Sequence, residues 1–294
     1  MATVFKLAKA QKEGNGPSSR EAHKEKNSEE QKAKKNKQRV LVLSSRGINF
    51  RQRHLLNDLA ALSPHFKKGM DAKLDQKSQF SILNELAELN NCNNCLFFEV
   101  RRKEDLYLWA SKTPNGPSIK FHVQNIHTMD ELKMTGNCLK GSRPIVSFDK
   151  TFDTQPHFSL IKQVFTHIFS VPRGARRSKP FIDHLISFTI ADNRIWFRNY
   201  QIVEKDPTEV EKNQKDITLV EIGPRFVLNV IRIFEGSFNG ATIFANPEFI
   251  TPTQIRRNIK AEKAARYQSR VQSKEVLRHK LSASVLPFDP MERS

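Results

Sequence analysis

Cysteine and long apolar runs are both scarce in this sequence, and each scarcity excludes a class of protein. Only 3 of its 294 residues are cysteine, too few for the disulfide framework of a secreted protein. No apolar run reaches the ~18 residues that a membrane-spanning helix needs. The first residues also lack the apolar core of a secretory signal. We therefore expect a soluble, intracellular protein without a membrane partner.

The three cysteines leave a choice between structural and metal-binding thiols. Cys92 and Cys95 have the spacing of half a zinc site, but a complete site needs a second close pair of cysteine or histidine residues. Cys138 stands alone in the sequence. The pattern therefore favours reduced thiols near the end of a helix over metal or redox chemistry.

Motifs that mark enzymes and nucleotide-binding proteins are also missing. The sequence contains no Gly-x-x-x-x-Gly-Lys-Ser/Thr loop, no Gly-x-Ser-x-Gly elbow and no His-Glu-x-x-His helix. We therefore predict a protein that is not an enzyme and has no cofactor, metal or small-molecule substrate.

Positive charge is what the sequence has in excess. Its 49 lysines and arginines against 31 acidic residues give a net charge of +18, and the ends are the most densely charged, with 10 basic and 5 acidic residues in 1–38 and 10 and 4 in 252–294. Such a chain suits a polyanionic partner, because each neutralised phosphate releases counterions. Residues 1–38 are too polar to bury a core, so we predict a disordered basic tail there. Its run at 32–39 resembles a nuclear-localisation signal, and either serves nuclear import or RNA contact or is simply a solvated part of the tail.

Between these ends, one order of elements occurs twice. A strand at "RVLVLSS", a basic loop and a helix at "HLLNDLAAL" precede a further helix and three strands, and a strand at "RPIVSFD" and a helix at "PHFSLIKQVFTHIF" precede five strands. This order predicts an α/β fold with helices packed on a mixed sheet. We place the domain at 39–250, in two similar halves of about 39–140 and 141–250, each a strand and a helix followed by antiparallel strands.

The stretch "EIGPRF" joins two of the predicted strands. Gly223 can take a positive φ and Pro224 has a restricted φ, so the pair makes a tight structural turn that holds Arg225 at an end of the sheet. A guanidinium held in this way suits either a phosphate or a buried carboxylate, for which Glu221 is one candidate.

Basic side chains recur in the predicted loops. One group follows the first strand and a second follows the second helix, and clustered positive charge is costly without a counter-charge. In "RIWFRNYQ", Trp196, Arg198 and Tyr200 share one face of a strand, where they could stack on bases and bind phosphate, or belong to the core with Arg198 in an ion pair. The loop residues that we predict to contact RNA are Arg46, Arg51, Arg53, Arg173, Arg176, Arg177 and Lys179.

The C-terminal stretch, 251–294, begins with a long basic helix. Thr251 is a predicted N-cap, Pro252 takes the first helical position, and no glycine or proline interrupts the helix before about Leu281. Its apolar stripe is too sparse for a core, so we predict an arm that docks on RNA or protein. The candidate RNA contacts on it are Arg256, Arg257, Lys260, Arg266 and Arg270.

Four long stretches resemble one known family, the Brix domain of eukaryotic ribosome-assembly factors. They begin at "VLVLSSRGINF", "DELKMTGNC", "VPRGARRSKPF" and "EIGPRFVLNV", and "GPRF" before an apolar strand is the most specific of them. The resemblance implies two halves similar to the anticodon-binding domain of class II aminoacyl-tRNA synthetases. It also implies binding to precursor rRNA of the large subunit, partners among other assembly factors in pre-60S particles, a place in the nucleus and nucleolus, and no catalysis. A protein-interaction scaffold that contacts RNA only through its tails is the alternative.

Overall fold

The computed structural model describes residues 38–69, 80–132, 136–172, 175, 178–179, 181–204 and 217–284. The predicted tail at 1–38 therefore lies outside the described residues, apart from its last residue. Within these ranges the chain forms eleven strands and five α-helices. The strands are β1 (Val40–Ser44), β2 (Phe66–Lys68), β3 (Asn94–Arg101), β4 (Asp105–Lys112), β5 (Ser118–His127), β6 (Pro144–Phe148), β7 (His184–Ala191), β8 (Arg194–Glu204), β9 (Ile217–Glu221), β10 (Arg225–Phe234) and β11 (Thr242–Ala245). The helices are α1 (Phe50–Leu62), α2 (Phe80–Leu89), α3 (Met129–Leu132), α4 (Pro156–Phe169) and α5 (Pro252–Ala283).

All eleven described strands belong to one mixed sheet, which confirms the predicted α/β class. Its order is β2-β1-β3-β4-β5-β10-β8-β7-β6, while β9 pairs with β8 and β11 with β10. On one side β1 is parallel to β3, and β3, β4 and β5 are antiparallel neighbours. On the other side β6 is parallel to β7, and β7, β8 and β10 are antiparallel neighbours. The antiparallel pair of β5 and β10 joins the two sides.

Two helices cover one face of this sheet. The apolar faces of α1 and α4 pack on the sheet within one continuous core. Phe165 of α4 is fully buried, and its ring lies 5.4 Å from that of Phe121 and 4.9 Å from that of Phe188. Five apolar residues of α4 recur at helical spacing, and all of them are buried: Phe158, Ile161, Phe165, Ile168 and Phe169.

The opposite face carries a smaller core at the end of the sheet near β1. There Leu83 and Ala87 of α2 pack with Trp109 and Phe97 of the neighbouring strands. Cys95 also belongs to this cluster and is fully buried. Farther along the same face, the outward side chains of β8 and β7 remain half-buried or exposed.

Two predictions need correction, one on the start of a helix and one on the connection between two strands. The first helix begins at Phe50, inside the stretch that we predicted as a basic loop, because the Gln52 side chain accepts a hydrogen bond from the backbone N–H of Asn49 (3.1 Å) and so caps the helix there. The strands on either side of Gly223 and Pro224 do not pair with each other. Both β9 and β10 pair with β8, one after the other, so the Gly-Pro pair interrupts a long strand.

Helix α5 belongs to a second compact unit, which comprises residues 247–294. The Thr251 side chain accepts a hydrogen bond from the backbone N–H of Gln254 (3.3 Å), and Pro252 occupies the first turn. The predicted helix and its N-cap are therefore confirmed, and the helix continues to Ala283. At ~1.5 Å per residue its 32 residues span ~48 Å.

Candidate nucleic-acid interface

Strand directions bring many of the predicted cations to one edge of the sheet. Strands β1, β3, β5 and β8 end at the edge where β4, β10, β7 and β6 begin. We call this row of strand ends, which is distinct from the outer strands of the sheet, the upper edge. Arg46 follows β1 there, and Arg225 is the first residue of β10, paired with the last residue of β5. Lys179 lies there too, because its backbone N–H donates to Gly141 O (2.8 Å) just before β6 begins. Residues far apart in sequence thus share one edge.

Arg51 and Arg53 lie on the first turn of α1 rather than on a loop. The Asn49 side chain donates to the backbone oxygen of Lys103 (2.9 Å), which fastens the start of α1 to the turn between β3 and β4 at the upper edge. Arg51 forms an ion pair with Glu131 of α3 at 2.6 Å. Arg53 is exposed. The exposed Arg51 thus already has an acidic partner, which weakens its attraction for a phosphate.

Arg225 directly follows the Gly-Pro pair, in which Gly223 has a φ of +87°; the pair interrupts a long strand beside β8 and does not form the predicted turn between two strands. Its Nη1 atom lies 3.8 Å from Glu221 Oε2, and 37% of its side chain is exposed. That separation is at the long end of an ion pair and too long for a hydrogen bond. The guanidinium therefore has the carboxylate neighbour that we considered, yet keeps an open side toward solvent.

The aromatic and basic residues of β8 share one face, as the period of two predicts. Trp196, Arg198 and Tyr200 are half-buried, while the alternate residues between them are fully buried on the helix-covered face. The Arg198 guanidinium lies 5.7 Å from the centre of the Trp196 ring. A hydrogen bond with Tyr200 and the nearby charge of Glu221 raise the pKa of Arg198 above its ordinary value. The three side chains form one aromatic and cationic surface that is only partly exposed to solvent.

The basic cluster after α4 is only partly described. Arg173, Arg176 and Arg177 lie outside the described residues, while Lys179 is exposed. Their predicted role stays a prediction.

Sequence reasoning missed several cations of the upper edge. Arg102 and Lys103 form the exposed turn between β3 and β4, and Lys140 is exposed in the segment that leads to β6. The sequence signal for the first two is the basic run "RRKED", which contains three successive cations. The strand directions were needed to show that this turn and Arg46 share an edge.

A buried polar network supports the sheet behind this edge. Glu99 accepts hydrogen bonds from Arg101 Nε (2.6 Å), Trp109 Nε1 (2.9 Å) and Lys120 Nζ (2.9 Å). Burial would raise the pKa of Glu99, but the Lys120 charge and the three hydrogen bonds outweigh it and lower that pKa. The network holds Lys120 over the Trp109 ring, at 4.4 Å from its centre. The buried charges of Glu99 and Lys120 serve the fold and are not available to a ligand.

Helix α5 presents its cations unevenly around its axis. At ~100° per residue, five exposed cations fall within ~40° of one line along the helix. We call this line the α5 stripe: Lys260, Lys263, Arg270, Lys274 and Arg278. Arg256 falls on the same line and is half-buried, whereas Arg257, Arg266 and Lys280 face other directions. The stripe covers ~27 Å, long enough to follow several phosphates of a nucleic-acid strand.

Metal and cofactor chemistry has little support in the described part of the chain. No group of three or more His, Cys, Asp or Glu side chains within it could hold a metal ion. Burial raises the pKa of Cys92, Cys95 and Cys138, in the last case to about 11, so these thiols are poor nucleophiles. Among the described helices, none combines the length and the apolar character required to cross a bilayer.

Comparison with known proteins agrees with the resemblance found in the sequence. The family model described as "Brix domain" matches residues 45–232. Ribosome biogenesis protein brx1 of Schizosaccharomyces pombe is 56% identical over 256 residues, which cover 87% of this chain and 85% of that protein. Ribosome biogenesis protein BRX1 of Saccharomyces cerevisiae is 54% identical over 258 residues, with 87% and 88% covered. The human BRX1 homolog is also 54% identical over 258 residues, with 87% and 70% covered. The chain belongs to the Brix-domain family.

Proposed function

We propose that this protein is a non-enzymatic ribosome-assembly factor that binds precursor rRNA of the large subunit and neighbouring assembly factors in the nucleolus. Its relatives in three organisms carry the name ribosome biogenesis protein, and they match most of the chain. The net charge of +18 suits an RNA partner.

One observation carries the proposal, namely that cations from separate segments lie along the same upper edge of the sheet. Arg46, Arg53, Lys179 and Arg225 come from four separate segments, yet the strand directions bring them to the same edge. A surface of this kind attracts a polyanion and holds it mainly by its phosphates, so binding depends strongly on salt and weakly on sequence. The α5 stripe provides a second basic surface of the same character.

A protein-interaction scaffold is the second candidate, and exposed apolar side chains on the outer strands favour it. Ile145 of β6, Ile217 and Leu219 of β9, and Ile243 of β11 are between 44% and 58% exposed. Apolar groups on strands near a sheet edge suit the addition of a strand from a partner protein. In this candidate, assembly factors would occupy these strands, and RNA would be contacted only by the tails.

The domain organisation is part of the same proposal. We place the Brix domain at 39–250, in two halves of about 39–140 and 141–250 that arose from one module similar to an anticodon-binding domain. The order strand, helix, parallel partner and antiparallel strands on each side of the β5–β10 pair supports this division. The basic tail at 1–38 and the helix and tail at 251–294 are appended arms.

Two experiments test the proposal. Crosslinking the protein to RNA in cells and sequencing the attached fragments should recover precursor rRNA of the large subunit; fragments from other RNA classes would contradict it. Titration of the purified full chain with a structured rRNA fragment should give a steep fall of log K with log salt. A flat salt dependence would reject electrostatic binding of RNA and favour the scaffold.

A pair of charge-matched variants locates the contact on α5. The triple variant K263Q/R270Q/K274Q removes three cations of the stripe, and R257Q/R266Q/K280Q removes three that face other directions. At ~0.9 per phosphate contact on a duplex, the first should reduce the salt slope by about 2.7 and the second by much less. Equal reductions would show that α5 acts only through its net charge.

A further inference from the structure

We propose that the turn between β3 and β4 is an additional RNA-phosphate site, formed by Arg102 and Lys103 at the upper edge of the sheet. The inference deepens the proposed function and rests on it, because it names a contact for the same class of ligand. It concerns residues that no sequence motif singled out.

The backbone of this turn is unfavourable for the residues that occupy it. Arg102 has a φ of 53° and Lys103 a φ of 60°, and the turn is closed by a hydrogen bond from Glu104 N to Arg101 O (3.2 Å). Left-handed backbone is costly for long side chains, so turns of this type favour Asn, Asp and Gly. Arginine and lysine at these two positions are therefore not explained by the needs of the turn.

The same sheet contains an internal comparison. The turn between β7 and β8 has the same left-handed backbone, with φ values of 52° at Asp192 and 55° at Asn193. Those residue types are the ones that such turns prefer. The two turns thus share left-handed φ values at two successive residues, although the β3–β4 turn has three residues between its paired ends and the β7–β8 turn has two. The turn that departs from the residue preference carries two cations.

The cationic turn is also fixed in place and open to a ligand. The side chain of Asn49 donates to Lys103 O (2.9 Å), and that of Gln52 donates to Glu104 O (3.4 Å), so the turn is fastened to the start of α1. Both cations are exposed, and neither forms an ion pair with any described residue. Because the backbone of the turn is already held, only the two side chains lose freedom when they meet phosphates, which favours binding.

The neighbourhood of the turn indicates which ligand it takes. Arg53 lies one helical turn along from Asn49, and Arg46 follows β1 at the same edge. A surface with several cations from three segments is complementary to a run of phosphates, as in the backbone of a base-paired RNA. We therefore assign the turn to the RNA backbone rather than to a base.

The test uses the full-length protein and a fully base-paired RNA hairpin as the probe. The variant R102N/K103G removes both charges and installs the residues that the backbone prefers. We expect a melting temperature equal to or above that of the wild type, together with a salt slope lower by about 1.8 for two lost phosphate contacts. If the variant and the wild type bind equally well at 1 M salt, this slope change makes the variant bind roughly sixty-fold more weakly than the wild type at 0.1 M salt. The charge-matched control K112Q/R194Q removes two exposed cations from the opposite edge and should bind as the wild type does.

The other outcomes contradict the assignment in distinguishable ways. If R102N/K103G binds like the wild type while the wild type shows steep salt dependence, the turn is not a site but the proposed function stands. If both double variants weaken binding equally, net charge rather than position decides. If R102N/K103G melts at a lower temperature, the cations serve the fold. If the wild type does not bind the hairpin, the turn is not a site for base-paired RNA, and binding to the structured rRNA fragment decides whether the proposed function fails with it.

Discussion

Replacement of Glu99 by glutamine should destabilise the protein strongly, because it removes the charge at the centre of a buried network. The side chains of Glu99 and Lys120 are only 11% and 12% exposed, and their charged atoms lie 2.9 Å apart. Glutamine keeps the size of the side chain but leaves the Lys120 ammonium buried without a counter-charge. Breaking a buried pair in this way costs about 3–5 kcal/mol. The pair with Arg101 adds little, since 38% of the Arg101 side chain is exposed to screening.

We therefore expect E99Q to lower the free energy of unfolding by about 3 kcal/mol. For a domain of about 200 residues this corresponds to a fall of about 6–12 °C in melting temperature. Urea unfolding followed by circular dichroism measures the first quantity, and thermal unfolding the second. The double variant E99Q/K120M removes both charges and should be more stable than E99Q alone, because no buried charge is left unpaired.

The pH dependence provides an independent check. The pKa of Glu99 is lower in the folded protein than its ordinary value of 4.5. Its contribution is therefore present above pH 4.5 and is lost as the pH falls through the lower folded pKa. E99Q should lack this part of the acid dependence. Two results would refute the network as a source of stability. One is a free energy of unfolding of E99Q within 1 kcal/mol of the wild-type value; the other is a loss in E99Q/K120M equal to the sum of the losses in E99Q and K120M.

Three further predictions concern the core, a buried histidine and the helix cap. Burial lowers the pKa of His65, although its hydrogen bond to a carbonyl opposes this, so stability should fall as the pH drops below 6.5. His65→Gln should reduce this loss of stability at low pH, as measured by urea unfolding at several pH values. A loss as large as that of the wild type would contradict the prediction. Phe165→Ala should cost about 3–5 kcal/mol, whereas Phe181→Ala, at a residue 59% exposed, should stay within about 0.5 kcal/mol; similar losses would be inconsistent with the core described above. Thr251→Ala should cost the start of α5 about 1 kcal/mol, seen as faster amide exchange in its first turn, while Thr253→Ala should have little effect.

The Brix-domain membership places the observed surfaces in one functional picture. The helix-covered face of the sheet forms the core, and both the upper edge and α5 carry exposed cations. Under the proposed function, such a body would hold a folded RNA without reading its bases, because phosphate contacts position a protein but do not carry sequence information.

The sequence by itself determined the local elements, because their causes are local. The spacing of Phe158, Ile161 and Phe165 predicts the buried face of α4, and the alternation around Arg198 predicts the shared face of β8. The N-cap and Pro252 predicted the start of α5, and the quoted motifs were sufficient to identify the family. Each of these depends on residues close together along the chain.

Only the tertiary structure decided which cations share a surface. The upper edge depends on strand directions and on the pairing of β5 with β10, about a hundred residues apart. Arg51 was a candidate contact in the sequence, but Glu131, 80 residues away, provides its acidic partner. The sequence at Arg102 and Lys103 indicates only a turn. Their positive φ values and the hydrogen bond from Asn49 are seen only in the structure. Long-range pairings set these positions, and they leave no periodic trace in the sequence.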